Sequence, residues 1–453
     1  MHDRIANGAN LWAGQCFQFD FLNDDFTPVS KGGKLPDELH DIINDEEKRK
    51  KLVIYINPPY AEATSATTVT GTGKNKAGVT TDFKIKQEYQ SKIGNASNEF
   101  FALFLTKIYD KFSFCTLAQF SKLKIVQASN FFKFRNFFLA EFKNGFVVPA
   151  NSFDNVNGFF PIGFMIWDLK NKKKIEQIVC DVYIEKSKET AKLIGKKKFN
   201  GNLSDSINKW IKTFDNKKIE GIGYMGNPSP DFQHCSQLYI SKQIGIEHFN
   251  FYSINKNNLI PACMYLSVRH CIEADWLNDR DQFLYPNDGW QSDTEFQNDC
   301  LAYTLFHGQN RISSKEGTNH WLPFTEQEVN ARDRFDSRFM TDFIAGKQQQ
   351  TPENTLFPET KENKKLVFSG EAQAVFDAGR ELWKYYHAQP KCNVNASLYD
   401  IREHFQGRND KGKMNVKSNN ETYNELIGNL CSALKVLAQK IESKVYEYGF
   451  LKL

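Results

Sequence analysis

An α/β fold is what the sequence predicts, and three observations predict it. Leu52-Val53-Ile54-Tyr55-Ile56 is a short apolar run that stops abruptly at Asn57-Pro58-Pro59-Tyr60. Such a run reads as a strand buried on both faces, as in a parallel sheet. A charged stretch precedes it, with Leu39, Ile42 and Ile43 on one side, and an amphipathic stretch with Phe100, Phe101, Phe104, Leu105 and Ile108 at helical spacing follows it. A second apolar run, Phe159-Phe160-Pro161-Ile162-Gly163-Phe164-Met165-Ile166-Trp167, reads as another buried strand. Helices alternating with strands imply a layered α/β domain.

The elements follow in order. Residues 2–14 read as a helix end and a loop. Cys16-Phe17-Gln18-Phe19-Asp20 reads as a short strand with an acid at its carboxyl end. Residues 36–51 form the connecting helix. The prolines end the central strand because each fixes φ and lacks an N–H, and Asn57 is pushed out of the α region by Pro58. Residues 61–94 turn polar and are expected to form one long loop, with Lys74, Lys76, Lys84 and Lys86 available to phosphates or merely solvated. A helix over 98–112 comes next, then 114–117, a helix-like stretch near 131–138 and a strand at 145–149. Residues 170–198 hold ten lysines against four acids. They read either as a phosphate-neutralising flank or as a solvated linker containing an edge strand over 178–184.

Beyond residue 185 the pattern loosens. Gly221-Ile222-Gly223-Tyr224-Met225-Gly226 matches a phosphate-loop spacing, but Asn227-Pro228-Ser229-Pro230 blocks the helix such a loop must open, so it is rejected. Residues 235–340 mix short apolar runs with Trp276, Trp290, Trp321, Asn, Asp and Arg, which suits a module reading base edges and equally any irregular α+β domain. Residues 347–365 form a polar linker. Residues 369–387 and 420–450 read as helices, the second with a stripe of Leu426, Leu430, Leu434, Leu437 and Ile441. The expected division is therefore 1–185, 186–346 and a helical 366–453.

With 453 residues, core size sets no limit. A net charge of +4 confines any nucleic-acid surface to a local patch. The 14% aromatic content suits base stacking as well as core filling. Nine cysteines carry no CxxC pair, so no zinc or disulfide framework is read and a reducing cytoplasm is expected. His234-Cys235 and His270-Cys271 read as structural residues; no metal site is expected. No apolar run reaches membrane-spanning length, and no signal peptide is visible.

The proline corner suits one chemistry. An exocyclic amino nitrogen on a nucleobase is a poor nucleophile because its lone pair is delocalised into the ring. The Asn57 side-chain oxygen and the Pro58 carbonyl can both accept from that NH2, drawing the nitrogen towards a tetrahedral shape. Tyr60 offers a face for a flipped base, and Pro59 stiffens the turn. The plain alternative is a strand-ending proline turn.

Asn57-Pro58-Pro59-Tyr60 resembles the catalytic motif of S-adenosylmethionine-dependent amino-group methyltransferases, above all the DNA adenine-N6 enzymes of restriction–modification systems. The resemblance implies a partial Rossmann-like methyltransferase sheet, followed by an α+β target-recognition region and a helical C-terminal region. It implies that Asp20 accepts from the adenine amino group of the cofactor and that Phe21 lies against its ring. It implies that Phe159 or Phe160 packs on the other face of the flipped base. Double-stranded DNA is the expected substrate, with a cognate restriction endonuclease as a possible partner. Cytosine N4, a ribosomal RNA base or a protein glutamine is the rival acceptor. The family's glycine-rich cofactor loop precedes the Asp20 motif, and only 19 residues precede Asp20 here. The chain is therefore expected to be an amino-terminally incomplete methyltransferase. The alternative is a non-catalytic or split-enzyme DNA-recognition subunit, whose partner chain carries the missing cofactor segment.

Overall fold

The computed structural model describes residues 16–59, 83–153, 158, 160–187, 190–201, 205–215, 219–243, 251–347 and 364–452. The chain forms two compact units, Met1–Leu203 with Asp275–Asp281, and Ser204–Ala274 with Gln282–Leu453.

The first unit is a mixed α/β layer. The expected strand at 16–20 is absent; those residues are extended coil running into a turn at 21–23. Asp20 closes that turn, and side-chain-to-backbone bonds of this kind compete with strand pairing. Helix α1 (Asp37–Asn44) ends at Asp45, whose carboxylate accepts from the Lys48 N–H and starts a separate turn, Glu46–Arg49. The single helix expected over 36–51 is thus broken by a cap. Strand β1 (Val53–Ile56) follows. The expected loop over 61–94 holds helix α2 (Lys84–Ile93), which buries Ile85, Tyr89 and Ile93 at i, i+4 and i+8. Three residues suffice for an apolar stripe among polar neighbours. Helix α3 (Phe100–Lys111) is buried on nearly every side.

Strand β2 (Thr116–Lys122) leads through α4 (Phe132–Phe137) to the hairpin β3 (Glu141–Pro149) and β4 (Pro161–Asp168). Strands β5 (Gln177–Ser187) and β6 (Thr190–Asn200) form a second hairpin. The lysine-rich stretch is therefore paired structure over most of its length, with β6 as an edge strand. The sheet order is β1-β2-β4-β3-β5-β6. Strands β1 and β2 are parallel, and β4 is antiparallel to both β2 and β3.

One expectation about β1 is overturned. Among the described residues it lies at the sheet edge, and Val53 and Tyr55 are each 64% exposed. Their face carries a row of half-buried rings that pack on one another. Ring centroids are 6.5 Å apart for Tyr55–Phe120, 4.9 Å for Phe120–Phe164 and 5.3 Å for Phe146–Phe164. The opposite face, with Leu117, Met165 and Trp167, shares a core with α2, α3 and α4.

The second unit holds a small antiparallel sheet, β8-β7-β9, with β7 at Gly223–Gly226, β8 at Ile240–Ser241 and β9 at Phe251–Ile254. The glycine-rich segment is thus a strand and opens no helix. The unit's longer helices among the described residues are α5 (Leu259–His270), α6 (Thr294–Phe306), α7 (Gly370–His387), α8 (Leu398–Gln406) and α9 (Glu421–Glu447). Ser369 caps α7 and Asn420 caps α9. Met264, Leu301, Trp383 and Leu437 belong to one core, so the regions read as 186–346 and 366–453 share it.

Candidate functional site

The corner after β1 is built by pairing on one side and proline on the other. Val53 to Ile56 pair in parallel register with Thr116 to Gln119, and the Thr116 N–H donates to the Leu52 carbonyl at 3.0 Å. Asn57, Pro58 and Pro59 then leave the strand; Pro58 is buried, while Asn57 and Pro59 are exposed. Pro58 anchors the turn and its neighbours face solvent. Tyr60 and Phe159 lie outside the described residues.

Phe160 immediately precedes β4, and its carbonyl accepts from the Ala150 N–H at 2.9 Å, closing the β3–β4 hairpin. Because β4 runs antiparallel to β2, its start lies at the end of the sheet where β1 and β2 finish. Asn57 follows the Ile56–Gln119 pair, so it is level with Phe120, whose partner is Phe164. Phe160 is four residues before Phe164, about 13 Å further along the strand and about 10 Å across two strands. The register brings Phe160 to the same end of the sheet as Asn57, and Phe164 to its level.

Asp20 sits in a turn ahead of α1. Its two carboxylate oxygens accept from the Leu22 N–H at 3.0 Å and the Asn23 amide at 2.8 Å, and its own N–H donates to Asp24 at 2.8 Å. Hydrogen bonding from Lys34, then from the Asp20 N–H, holds the Asp24 carboxyl below its usual value. Phe21 stacks on Phe104 of α3 with centroids 4.8 Å apart. Lys107, unremarked in the sequence reading, organises this turn: its ammonium donates to the Phe21 and Asp24 carbonyls at 2.7 and 2.8 Å and lies 4.8 Å from the Phe21 ring centre. Burial pushes that ammonium below the ordinary lysine range. A lysine on a buried helix face was the available signal.

Between this turn and β1 runs a groove of about 220 Å³, with Phe19, Phe21, Phe26, Leu39, Ile54 and Ile56 among its walls. Every lining residue is apolar or aromatic. Such walls suit an apolar ring; Asp20 is not among them, though each of its oxygens retains a second lone-pair direction. The groove offers no charged partner for the amino acid end of S-adenosylmethionine. The described residues therefore fit the adenine end alone.

Sequence reasoning also missed a buried ionic cluster where β2 ends. Glu99, just ahead of α3, is 4% exposed and pairs with Lys124 at 2.5 Å and Lys122 at 3.5 Å. Among the described residues no group of His, Cys, Asp and Glu is arranged to hold a metal, and no helix is long and apolar enough to cross a membrane. His234 pairs with Asp231 at 2.5 Å, and the Cys235 sulfur lies 3.7 Å from the Arg269 guanidinium.

No family model and no curated protein matches the chain. Among solved structures it is similar to the ATP-dependent Type ISP restriction–modification enzyme LlaBIII bound to DNA, at 15% identity and a TM-score of 0.25, over 41% of this chain and 16% of that one. It is also similar to the Type IIL restriction–modification enzyme MmeI in complex with DNA, at 10% identity and a TM-score of 0.28, over 90% of this chain and 56% of that one. The chain thus spans less than two thirds of either, and likenesses this low carry no assignment by themselves.

Proposed function

We propose that the chain carries the substrate corner of an S-adenosylmethionine-dependent DNA adenine-N6 methyltransferase of restriction–modification type. The observation that carries this reading is Asn57–Pro58–Pro59 leaving the carboxyl end of β1 beside a parallel neighbour. Ligands of open α/β sheets bind at that end of the strands. The Asn57 side-chain oxygen and the Pro58 carbonyl accept from the amino group of an extruded adenine. Tyr60 stacks on one face of that base, and Phe159 or Phe160 on the other. Asp20 accepts from the cofactor's adenine amino group, and Phe21 bounds its ring. When bound, the cofactor supplies a methyl group on a sulfonium. The protein's own contribution is positioning and the acceptors fixed in advance by proline.

The test uses the whole chain, double-stranded DNA and cofactor labelled in its methyl group. Label is expected in N6-methyladenine, with Asn57→Ala lowering the rate by at least about 100-fold, as for other preorganised hydrogen-bond groups. Label in N4-methylcytosine, in RNA or in protein would overturn the choice of acceptor.

A second reading is favoured by one observation. Among the described residues β1 is an edge strand, and the groove beside it is wholly apolar. A split-enzyme recognition subunit, whose partner chain supplies the cofactor segment, accounts for both. Under that reading the folded chain binds DNA but binds no cofactor until the partner is added.

A further inference from the structure

The second unit contains a cleft of about 980 Å³ between α5, α6, α8 and α9 that plays no part in the chemistry above. One wall is apolar, with Ile427, Leu430, Leu434 and Ala438 in a row along α9. Eleven helical steps from Ile427 to Ala438 make that row about 16 Å long.

Three groups on this cleft lack the partners their chemistry calls for. Arg402 of α8 is half-buried, yet its guanidinium makes no hydrogen bond and no ion pair among the described residues. The fully buried Arg269 of the same unit shows the contrast: it donates to the Ser229 and Asp231 carbonyls at 2.9 Å and to the Tyr265 hydroxyl at 3.0 Å. An arginine stays charged at any working pH and presents five donors in a planar fork, so an unpaired one in a cleft selects an anion. Gln406 donates its amide to the Val416 carbonyl at 2.9 Å, but its oxygen is buried with no donor. His307 accepts the Gln309 N–H at Nδ1, 3.3 Å away, which places the proton of the neutral ring on Nε2. Burial first, then His270 and Arg402, keep that ring neutral. Its Nε2–H has no partner among the described residues.

The charges along the cleft are sorted. Arg402 and Lys417 lie towards the amino-terminal half of α9, where Arg402 also faces Tyr423 and Cys431, and Lys435 lies at its middle. The acidic residues Glu273 and Glu442 lie at the other end, with Glu442 acting on Cys271. One end thus takes an anion, and the middle offers an apolar surface and a ring donor. Phosphate, a flat ring and ring-nitrogen or hydroxyl acceptors occur together in one ligand class.

We propose that this cleft binds a nucleoside monophosphate unit, with its phosphate on Arg402 and its ring along Ile427 and Leu434. The unit comes either from a free nucleotide or from a nucleotide within a DNA strand.

Calorimetry on the whole chain tests this with four probes: 2′-deoxyadenosine 5′-monophosphate, deoxyadenosine, inorganic phosphate and a short single-stranded oligonucleotide. The monophosphate is expected to bind saturably, and at least about tenfold more tightly than deoxyadenosine or phosphate alone. Arg402→Gln is expected to weaken it at least tenfold while leaving the thermal midpoint unchanged or raised, because an unpaired cation is removed. Gly428 lines the cleft and a Cβ there would meet nothing within 4 Å, so Gly428→Leu puts its added bulk into open space at the cleft and is expected to abolish binding. Oligonucleotide competition that requires Arg402 identifies a DNA strand as the source; its absence identifies a free nucleotide. Failure of the monophosphate to bind, binding unchanged in both variants, or phosphate binding as tightly as the monophosphate overturns the proposal. The readout is binding to the second unit, so it stands or falls apart from methyl transfer at Asn57.

Discussion

Gln119 is fully buried in β2, and neither its amide nitrogen nor its oxygen has a hydrogen-bond partner among the described residues. A buried polar atom left unpaired costs about 1–3 kcal/mol. Gln119→Met keeps the shape and removes both atoms, so it is expected to raise stability by about 1 kcal/mol or more, read as a higher urea midpoint at unchanged slope. His270 gives a pH prediction. Burial first, with Arg269 and Arg311 adding to it, lowers its pKa to about 4, while the Leu238 carbonyl, 3.1 Å from Nε2, opposes the shift. The unfolded chain titrates this ring near 6.5 and binds the proton more readily than the folded one. The neutral ring's contribution is therefore complete above about pH 6.5 and is lost as the pH falls towards 4. Between pH 7 and 5 it removes on the order of 2 kcal/mol. Unfolding curves at the two pH values should show that loss, and His270→Gln should flatten part of it; His307 shifts in the same direction and supplies the remainder.

At the scale of elements, what the sequence revealed depended on how far apart the deciding residues stand. The hairpin of β3 and β4, the helix α3 and the stripe of α9 declare themselves in local periodicity, and the structure places each within a few residues of its expected span. Helix α2 was hidden because its stripe is only Ile85, Tyr89 and Ile93 among polar neighbours. Helices α5 and α6 were hidden for the opposite reason: they are buried all round, so no polar face marks their period. The burial of β1 was misread because an apolar run cannot tell a central strand from an edge one, a difference decided by strands distant in sequence. Of the site, the Asn57 corner was legible from Pro58 and Pro59, whereas Lys107 and the Glu99–Lys124 pair required α3 and β2 to be packed first. The edge position carries its own test. Val53→Lys or Tyr55→Lys in a central, doubly covered strand would unfold the unit. On this exposed edge each is expected to change stability by about 0.5 kcal/mol or less and to reduce self-association, because charge blunts an open strand. Chemical unfolding and light scattering distinguish the two cases.

For the molecule as a whole, a net charge of +4 is too small for diffuse attraction to DNA, so the DNA binding proposed above would draw on particular cations. The β5–β6 hairpin separates free lysines from engaged ones. Lys197 is tied to Asp281 at 2.6 Å, and Gln127 donates to the same carboxylate at 2.6 Å. Lys196 is 73% exposed and lies 3.7 Å from Asp181. Lys192 and Lys198 are exposed and have no ion-pair partner among the described residues. Phosphate contacts release counterions, so each one lost lowers the slope of log affinity against log salt by about 0.9 on duplex DNA. If the hairpin lies along the duplex, replacing Lys192 and Lys198 with Gln is expected to reduce that slope by about 2 while stability stays level. Lys197→Gln is expected to do the reverse, destabilising the unit by stripping a partner from a buried carboxylate while the slope holds. Titrations at three salt concentrations, paired with unfolding curves, separate these outcomes. Equal slopes for the double variant and the parent would exclude the hairpin from any DNA-binding surface.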